Sequence, residues 1–440
     1  MSDVFDLVVV GAGPGGLAAA ATAGEAGMRV CLIDDNPELG GQIWRKNVVR
    51  QTMNTDAAKW LRRIQSSRVV VRSGWRVVDG SASTGQTPLT FRIEREGQWS
   101  DLECSRLILA TGARELFLPF PGWTLPGIFG VGGIQAFVKS GLDVSGKRVV
   151  IAGTGPLLLA VAASLRRAGA QIVTVVDQAP LARMVKFSFG LLWGHAGKLL
   201  EGAGYGSSLL GVPYRTHSWV TSAMGDERLR TVEIQSGSQA LRVDADMLAV
   251  GFHLVPNTEL AQLLGCEQRH GYVLVDELQQ TTANGIYCVG EATGIGGAEK
   301  AQIEGRIAAL AVSGQEERAR ALFRIRDRQM YFAQRLATAF ALRQELRTLA
   351  KDETVVCRCE DVTHGSLVSR RSWREAKLHT RCGMGPCQGR VCGAATRFLY
   401  GWDIPHPRPP LFPVEVSALA GMQPVSEGIA QGAAPLITEL

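Results

Sequence analysis

Phe5-Asp6-Leu7-Val8-Val9-Val10-Gly11-Ala12-Gly13-Pro14-Gly15-Gly16 decides how the rest of this 440-residue chain is read. Phe5 to Val10 is an apolar run broken only by Asp6, the pattern of a parallel strand buried on both faces. Leu17 to Gly27 is alanine-rich and helical in character, and Arg29 to Ile33 is a second buried strand ending at Asp34. Strand, glycine turn, helix and strand make a complete βαβ opening. In it Gly11 permits the tight turn, Gly13 lets backbone approach a pyrophosphate, and Gly16 packs helix on strand, while the helix N-terminus offers free N–H groups to phosphates. Asp34 follows Gly16 by 18 residues, where an acid takes ribose hydroxyls. The chain therefore begins with a dinucleotide site.

A second copy starts near Lys147, with Arg148 to Ala152 as strand, then Gly153-Thr154-Gly155-Pro156-Leu157-Leu158, a helix through Gly169, and a strand from Gln171 to Val176 ending at Asp177. Leu158 replaces the third glycine. Two readings stay open, a bound nucleotide (NAD, or ATP/ADP) or a domain that has lost its nucleotide. If one binds, Asp177 favours a free 2′-hydroxyl, because an acid repels a 2′-phosphate.

Composition narrows the class. Hydrophobic residues are 46% and charged residues 20%, so the chain folds, and its length calls for more than one core. The formal charge is +6, from 47 Lys+Arg against 41 Asp+Glu, too mild to imply nucleic acid. The longest apolar stretch, Leu7 to Ala21, is broken by Pro14 and falls short of the roughly 20 residues that span a bilayer. Met1-Ser2-Asp3 has no basic n-region, so no secretory signal and a cytoplasmic address are expected. At that address the nine cysteines stay reduced. Cys31, Cys104, Cys266 and Cys288 stand singly in or beside apolar runs and read as small buried hydrophobes.

The other five, Cys357, Cys359, Cys382, Cys387 and Cys392, fall within 36 residues. Cys357-Arg358-Cys359 and the pair Cys387/Cys392 supply four thiolates, enough for Zn²⁺ or an iron–sulfur cluster. A CxC pair is tight for one tetrahedral ion and easy for two irons, which favours [2Fe–2S]. Gly383, Gly385 and Gly389 allow backbone N–H groups to approach sulfides.

Leu107-Ile108-Leu109-Ala110-Thr111-Gly112-Ala113 and Gly285-Ile286-Tyr287-Cys288-Val289-Gly290-Glu291-Ala292 resemble the ATG and GD signatures of two-dinucleotide-domain flavoprotein reductases, the glutathione-reductase-like family. The resemblance implies FAD, held by Gly11, Gly13, Pro14, Gly15, Gly16, Asp34, Asp35, Gly41, Gln42, Ala110, Thr111, Gly112, Gly290 and Glu291. In that family the second signature ends in an aspartate that holds the ribityl chain; Glu291 is one methylene longer. The implied architecture is α/β, with FAD-domain segments at 1–118 and 281–350 around a second dinucleotide-binding-type domain at 119–280.

Residues 351–402 resemble the bacterioferritin-associated-ferredoxin-like (BFD-like) [2Fe–2S] module, through Cys357 to Thr363 and Thr380 to Cys392. In that motif the ligands match Cys357, Cys359, Cys387 and Cys392, and Cys382 is a bystander. With Pro121 to Gly127 added, nearly the whole chain resembles the FAD/[2Fe–2S] α chains of hetero-oligomeric amino- and imino-acid dehydrogenases. That group includes opine oxidase, D-hydroxyproline dehydrogenase and hydrogen cyanide synthase, with sarcosine oxidase α a larger relative. The resemblance implies an oxidoreductase acting on CH–NH donors, in which a β flavoprotein of glycine- or sarcosine-oxidase type takes the hydride. It also implies a small γ subunit, FMN between subunits in some members, and peripheral contact with an electron acceptor.

What is missing supports electron transfer over other chemistry. No CxxC follows Gly40-Gly41-Gln42 or occurs elsewhere, which argues against dithiol chemistry. No histidine sits in a triad or metal spacing, and His195, in an apolar stretch, reads as packing. Arg318, Arg320, Arg324, Arg326 and Arg328 read as a solvated helix face. The proline-rich arm from Asp403, residues 403–440, is expected to lie on a partner subunit. Two rivals remain: a self-contained NAD(P)H:acceptor oxidoreductase and a non-catalytic scaffold holding nucleotides.

Overall fold

The computed structural model describes residues 3–44, 56–82, 88–191 and 196–419. His195 and the arm beyond residue 419 lie outside the described residues. The chain forms two units: residues up to Arg114, Pro256–Tyr331 and the segment from His406 form the first, and Glu115–Val255 with Phe332–Pro405 form the second.

In the first unit the strands Val69–Ser73, Val30–Asp34, Asp3–Val10 and Gln98–Leu109 lie side by side and parallel, and Ile286–Cys288 joins the last of them. Leu89–Arg95 and Arg76–Ser81 extend the sheet antiparallel beyond it. Val10 pairs with Ile33 on one side and Leu109 on the other, so the strand ends bearing the glycine turn, the acid and the ATG turn come into register. The Pro14–Glu25 helix covers one face, with five alanines fully buried between strand and neighbouring helix. Small side chains there permit close packing of backbone on backbone. Cys31, Cys104, Cys266 and Cys288 are buried as expected, and burial pushes the thiols of Cys31 and Cys104 up to about 12.

The return to the first unit comes at Pro256, ahead of the expected residue 281. The reason is packing: Leu260, Ala261, Leu264, Cys266 and Val273 enter the same core as Trp75 and Ile93. The arm also differs from expectation. Leu411 is buried in that core, its N–H donates to the Val78 carbonyl at 2.7 Å, and Arg76 lies over Phe412. Residues 406–419 thus dock on this chain's own first unit. Leu411→Ala should lower stability by about 2–4 kcal/mol in urea denaturation followed by tryptophan fluorescence.

The second unit holds a parallel sheet ordered Tyr214–Arg215, Gln171–Asp177, Arg148–Gly153, Met247–Gly251 and Ile128–Gly130, plus an antiparallel sheet of Ser218–Met224, Thr231–Ser236 and Gln239–Asp244. Residues 299–350 are largely helical: Gly297–Val312, Glu316–Arg320 and Phe323–Ala339 are α-helices. Arg326 leaves the expected solvated face. It is buried, donating to the Glu277 carbonyl at 2.6 Å with its guanidinium over Phe323.

The cysteine-rich module, part of the second unit, is built on Trp373. Ser372 caps the Trp373–Thr380 helix through the Glu375 N–H, and Glu375 in turn accepts from the Arg371 N–H. This reciprocal cap fixes where the helix starts. Trp373, buried, then packs against Gly383 and Gly389, both at positive φ, where a Cβ would come within 2.4 and 2.9 Å of its ring.

Candidate functional site

Three separated segments build the first site: the glycine turn, Ala110-Thr111-Gly112 and Gly290-Glu291. Gly11 has φ +105°, and a Cβ on it would lie 2.2 Å from the Ala110 carbonyl oxygen; a Cβ on Gly16 would lie 1.7 Å from the Gly11 oxygen. Both glycines are required by the protein itself. Gly13 is different, because among the described residues its nearest neighbour in the Cβ direction is the Gly41 Cα at 4.0 Å. It opens onto free space, the property a pyrophosphate cradle needs. Gly13 is also the N-cap of the Pro14–Glu25 helix, which has no side-chain cap, so no side chain competes for the first-turn amides.

Asp34 is 6 % exposed, and its carboxylate accepts from the N–H groups of Ala12 at 2.5 Å and Asn36 at 2.8 Å. The Asn36 side-chain amide is a third donor, at 2.8 Å, so three of its roughly four acceptor positions fix the turn and one remains. Glu38 lies in the same loop with a buried carboxylate oxygen that has no hydrogen-bond partner among the described residues. An open cradle, an uncapped helix and an orphaned acceptor fit a dinucleotide whose phosphates need donors and whose ribose needs acceptors.

Glu291 shows what the extra methylene does. Its two oxygens accept from the N–H groups of Gly296 at 2.7 Å and Gly297 at 2.9 Å, so it caps the Gly297–Val312 helix, and burial raises its pKa. Only its remaining lone pairs are left for a ribityl hydroxyl.

Sequence reasoning missed two supports of this site. Asn257 N–H donates to the Gly112 carbonyl, its side-chain amide donates to the Thr111 carbonyl, and Thr111 Oγ1 donates back to the Asn257 carbonyl at 2.5 Å. The ATG turn is therefore locked from 146 residues away. Glu304 accepts from the Gly290 N–H and the Thr293 hydroxyl, and Lys300 Nζ, 2.8 Å from Glu304, donates to the Gly290 carbonyl. Both side chains are almost wholly buried. A Lys/Glu pair four apart in an apolar helix was the signal available for it.

At the second glycine loop, Asp177 is fully buried and accepts from Ala179 N–H at 2.8 Å, Gly155 N–H at 3.2 Å and Tyr214 Oη at 2.9 Å. Burial raises its pKa. Phe340 lies over the loop: Thr154 Oγ1 donates to its carbonyl at 3.2 Å, and a Cβ on Gly155 would meet its ring at 3.9 Å. Gln178 accepts from the Arg343 N–H at 3.1 Å. A cavity of about 10 Å³, lined in part by Gly153, Gln178 and Leu346, remains beside it, room for about one water. Leu158, at the place of the third glycine, is buried among Val149, Ile151 and Ala249.

In the cysteine module the sulfurs of Cys357, Cys382 and Cys392 all lie within 4.8 Å of one another. Cys387 contacts both Cys392 and Cys359, so all five form one group. Cys382, expected as a bystander, is fully buried inside it. Hydrogen bonds from Cys382 and Cys392 hold the Cys357 thiol down to about 2, contact with Cys392 holds Cys387 down to about 5, and the same contacts push Cys392 up. The Gly383 N–H also donates to Cys357 Sγ at 3.5 Å. Soft, converging sulfurs, one of them accepting from a backbone amide, suit a thiophilic metal or an iron–sulfur cluster.

Comparison with known proteins follows the same lines. Residues 5–309 match the family described as pyridine nucleotide-disulphide oxidoreductase. The chain is 31% identical to the A chain of the opine oxidase of Agrobacterium tumefaciens, covering 90% of this chain and 85% of that one. It is 33% identical to the hydrogen cyanide synthase component HcnB of Pseudomonas aeruginosa, covering 94% and 98%. Among solved structures, L-proline dehydrogenase from P. horikoshii superposes with a TM-score of 0.67 at 18% identity, over 95% of this chain and 80% of that one. That likeness supports the fold.

Proposed function

The chain belongs to the pyridine nucleotide-disulphide oxidoreductase family, and from that premise we propose that it is the FAD- and [2Fe–2S]-carrying electron-transfer subunit of a hetero-oligomeric dehydrogenase or oxidase. The complex oxidises the C–N bond of an amino acid, imino acid or opine, with that chemistry in a partner flavoprotein. The observation that carries the reading is the presence, in one chain, of the open cradle at Gly13, the five-cysteine group and a second glycine loop covered by Phe340.

FAD supplies one- and two-electron chemistry, and a cluster supplies one-electron steps. This chain's residues provide the holding. Gly13 admits the pyrophosphate, Asp34 and Glu38 accept from ribose hydroxyls, and Asn257 and Glu304 keep the two flanking turns in place. Following the motif, Cys357, Cys359, Cys387 and Cys392 ligate the cluster, and Cys382, buried in the same group, is the spare thiol. On the family resemblance we place the complex in the cytoplasm, with two further parts, FMN between subunits and a small γ subunit. No helix among the described residues is long and apolar enough to cross a membrane.

The self-contained NAD(P)H reading finds less support. Asp177 is buried and occupied by three donors of its own unit, and Phe340 stands where a nicotinamide dinucleotide would approach Gly155. Support for a partner comes from Leu181, Val185 and Phe189, four apart along the Leu181–Leu191 helix and all exposed. Such an apolar stripe suits a protein interface.

The test is expression of the chain alone and with a glycine- or sarcosine-oxidase-like flavoprotein. Alone it should bind FAD, reduce no dye with opines, hydroxyproline, sarcosine or glycine, and keep its flavin oxidised under NADH. Co-expression should restore substrate-dependent dye reduction. Turnover by the purified single chain, or bleaching of its flavin by NADH, would overturn the proposal.

A further inference from the structure

The Pro14–Glu25 helix carries a second feature at its far end. Thr22 lies eight residues from Pro14, about 12 Å along the axis from the cradle. There a cavity of about 420 Å³ opens, walled by Thr22, Glu25, Arg63, Arg306, Gln315 and Arg318 among others, all of the first unit. Three guanidinium groups face one carboxylate.

That carboxylate is already matched. Glu25 takes a bidentate pair from Arg63, at 2.6 and 2.7 Å, and Arg63 lies over the Trp60 ring. Arg318 donates to the Gln315 side chain. Arg306 has no hydrogen bond or ion pair among the described residues, and burial together with Arg63 and Arg318 lowers its pKa. The Thr22 hydroxyl is a separate observation: the residue is 9 % exposed, and its oxygen is buried without a partner among the described residues. The carbonyl end of the Pro14–Glu25 helix lies here, which by itself repels anions. An anion would have to be held by the side chains.

We infer that this cavity binds a phosphoryl oxyanion, either inorganic or the phosphate end of a nucleotide, through Arg306, Arg318 and the Thr22 hydroxyl. Two guanidinium groups without a protein carboxylate match a dianion, and planar donors suit its oxygens. The volume exceeds one phosphate and lies in the range of small-molecule sites.

The experiment is calorimetric titration of the FAD-loaded full chain with phosphate, pyrophosphate and ADP at constant ionic strength set by potassium chloride. Saturable binding of any of them is expected; ADP as the tightest would assign a nucleotide, and pyrophosphate a free polyphosphate. Arg306→Gln should weaken binding about tenfold or more, Arg306→Lys less, and Thr22→Val a few-fold, with FAD content unchanged. If Arg306→Gln does not fold, Arg318→Gln, on an exposed side chain, carries the same expectation. Heats no larger than those of chloride, or affinity unchanged in a variant that keeps its flavin, would refute the site.

Discussion

Gly13→Val should give a folded chain that purifies without flavin. The expectation rests on the difference among three glycines of one turn. A side chain at Gly11 or Gly16 would drive into backbone carbonyl oxygen at 2.2 or 1.7 Å, so loss of flavin there would be confounded by misfolding. At Gly13 the nearest atom stands 4.0 Å away, and the added carbons enter only the space assigned to the pyrophosphate. Excluding a ligand this way weakens binding by about 1–3 kcal/mol or more, roughly ten- to hundredfold. Far-ultraviolet circular dichroism should match the parent while visible flavin absorbance is lost; stoichiometric FAD in the variant would remove the assignment.

The second large effect concerns the sulfurs. Cys357→Ser, Cys359→Ser and Cys387→Ser should each abolish the visible absorbance of the cluster and the electron paramagnetic resonance signal of its reduced form. Cys392→Ser should do the same, whereas Cys382→Ser should keep both signals, because five cysteines serve four positions and the motif leaves Cys382 out. Iron and acid-labile sulfide should fall together in the variants that lose the signal. Zinc without iron in the parent, or full signal in Cys357→Ser, contradicts the cluster reading.

Much of this was legible because it is local. The βαβ opening lies within residues 3–34, and its turn, helix and acid are spaced by geometry that a short stretch can encode. The cysteines, too, declare themselves within one module. What stayed hidden was set by distant pairs. Asn257 reaches the ATG turn across 146 residues, and Phe340 reaches Thr154 across 186, and neither has a motif of its own. The burial of Cys382 inside the sulfur group depends on a turn packed on Trp373, which spacing does not express. Arg326 followed a charged pattern yet found a carbonyl at Glu277, and the proline-rich arm found a slot beside Val78.

That slot bears on the order in which the protein can be made. Phe5 and Val8 share one hydrophobic core with Leu411, so a strand made early waits for nearly the last described residue before its core is complete. The strands of the second unit's parallel sheet and three-stranded antiparallel sheet, from Ile128 to Gly251, are synthesised during that wait, and their pairing partners all lie between those limits. Nascent chains stalled before residue 411 should therefore hold a protease-resistant second-unit sheet next to an N-terminal sheet that is still open to digestion. The amino-terminal segment that announces the fold is among the last to be sealed.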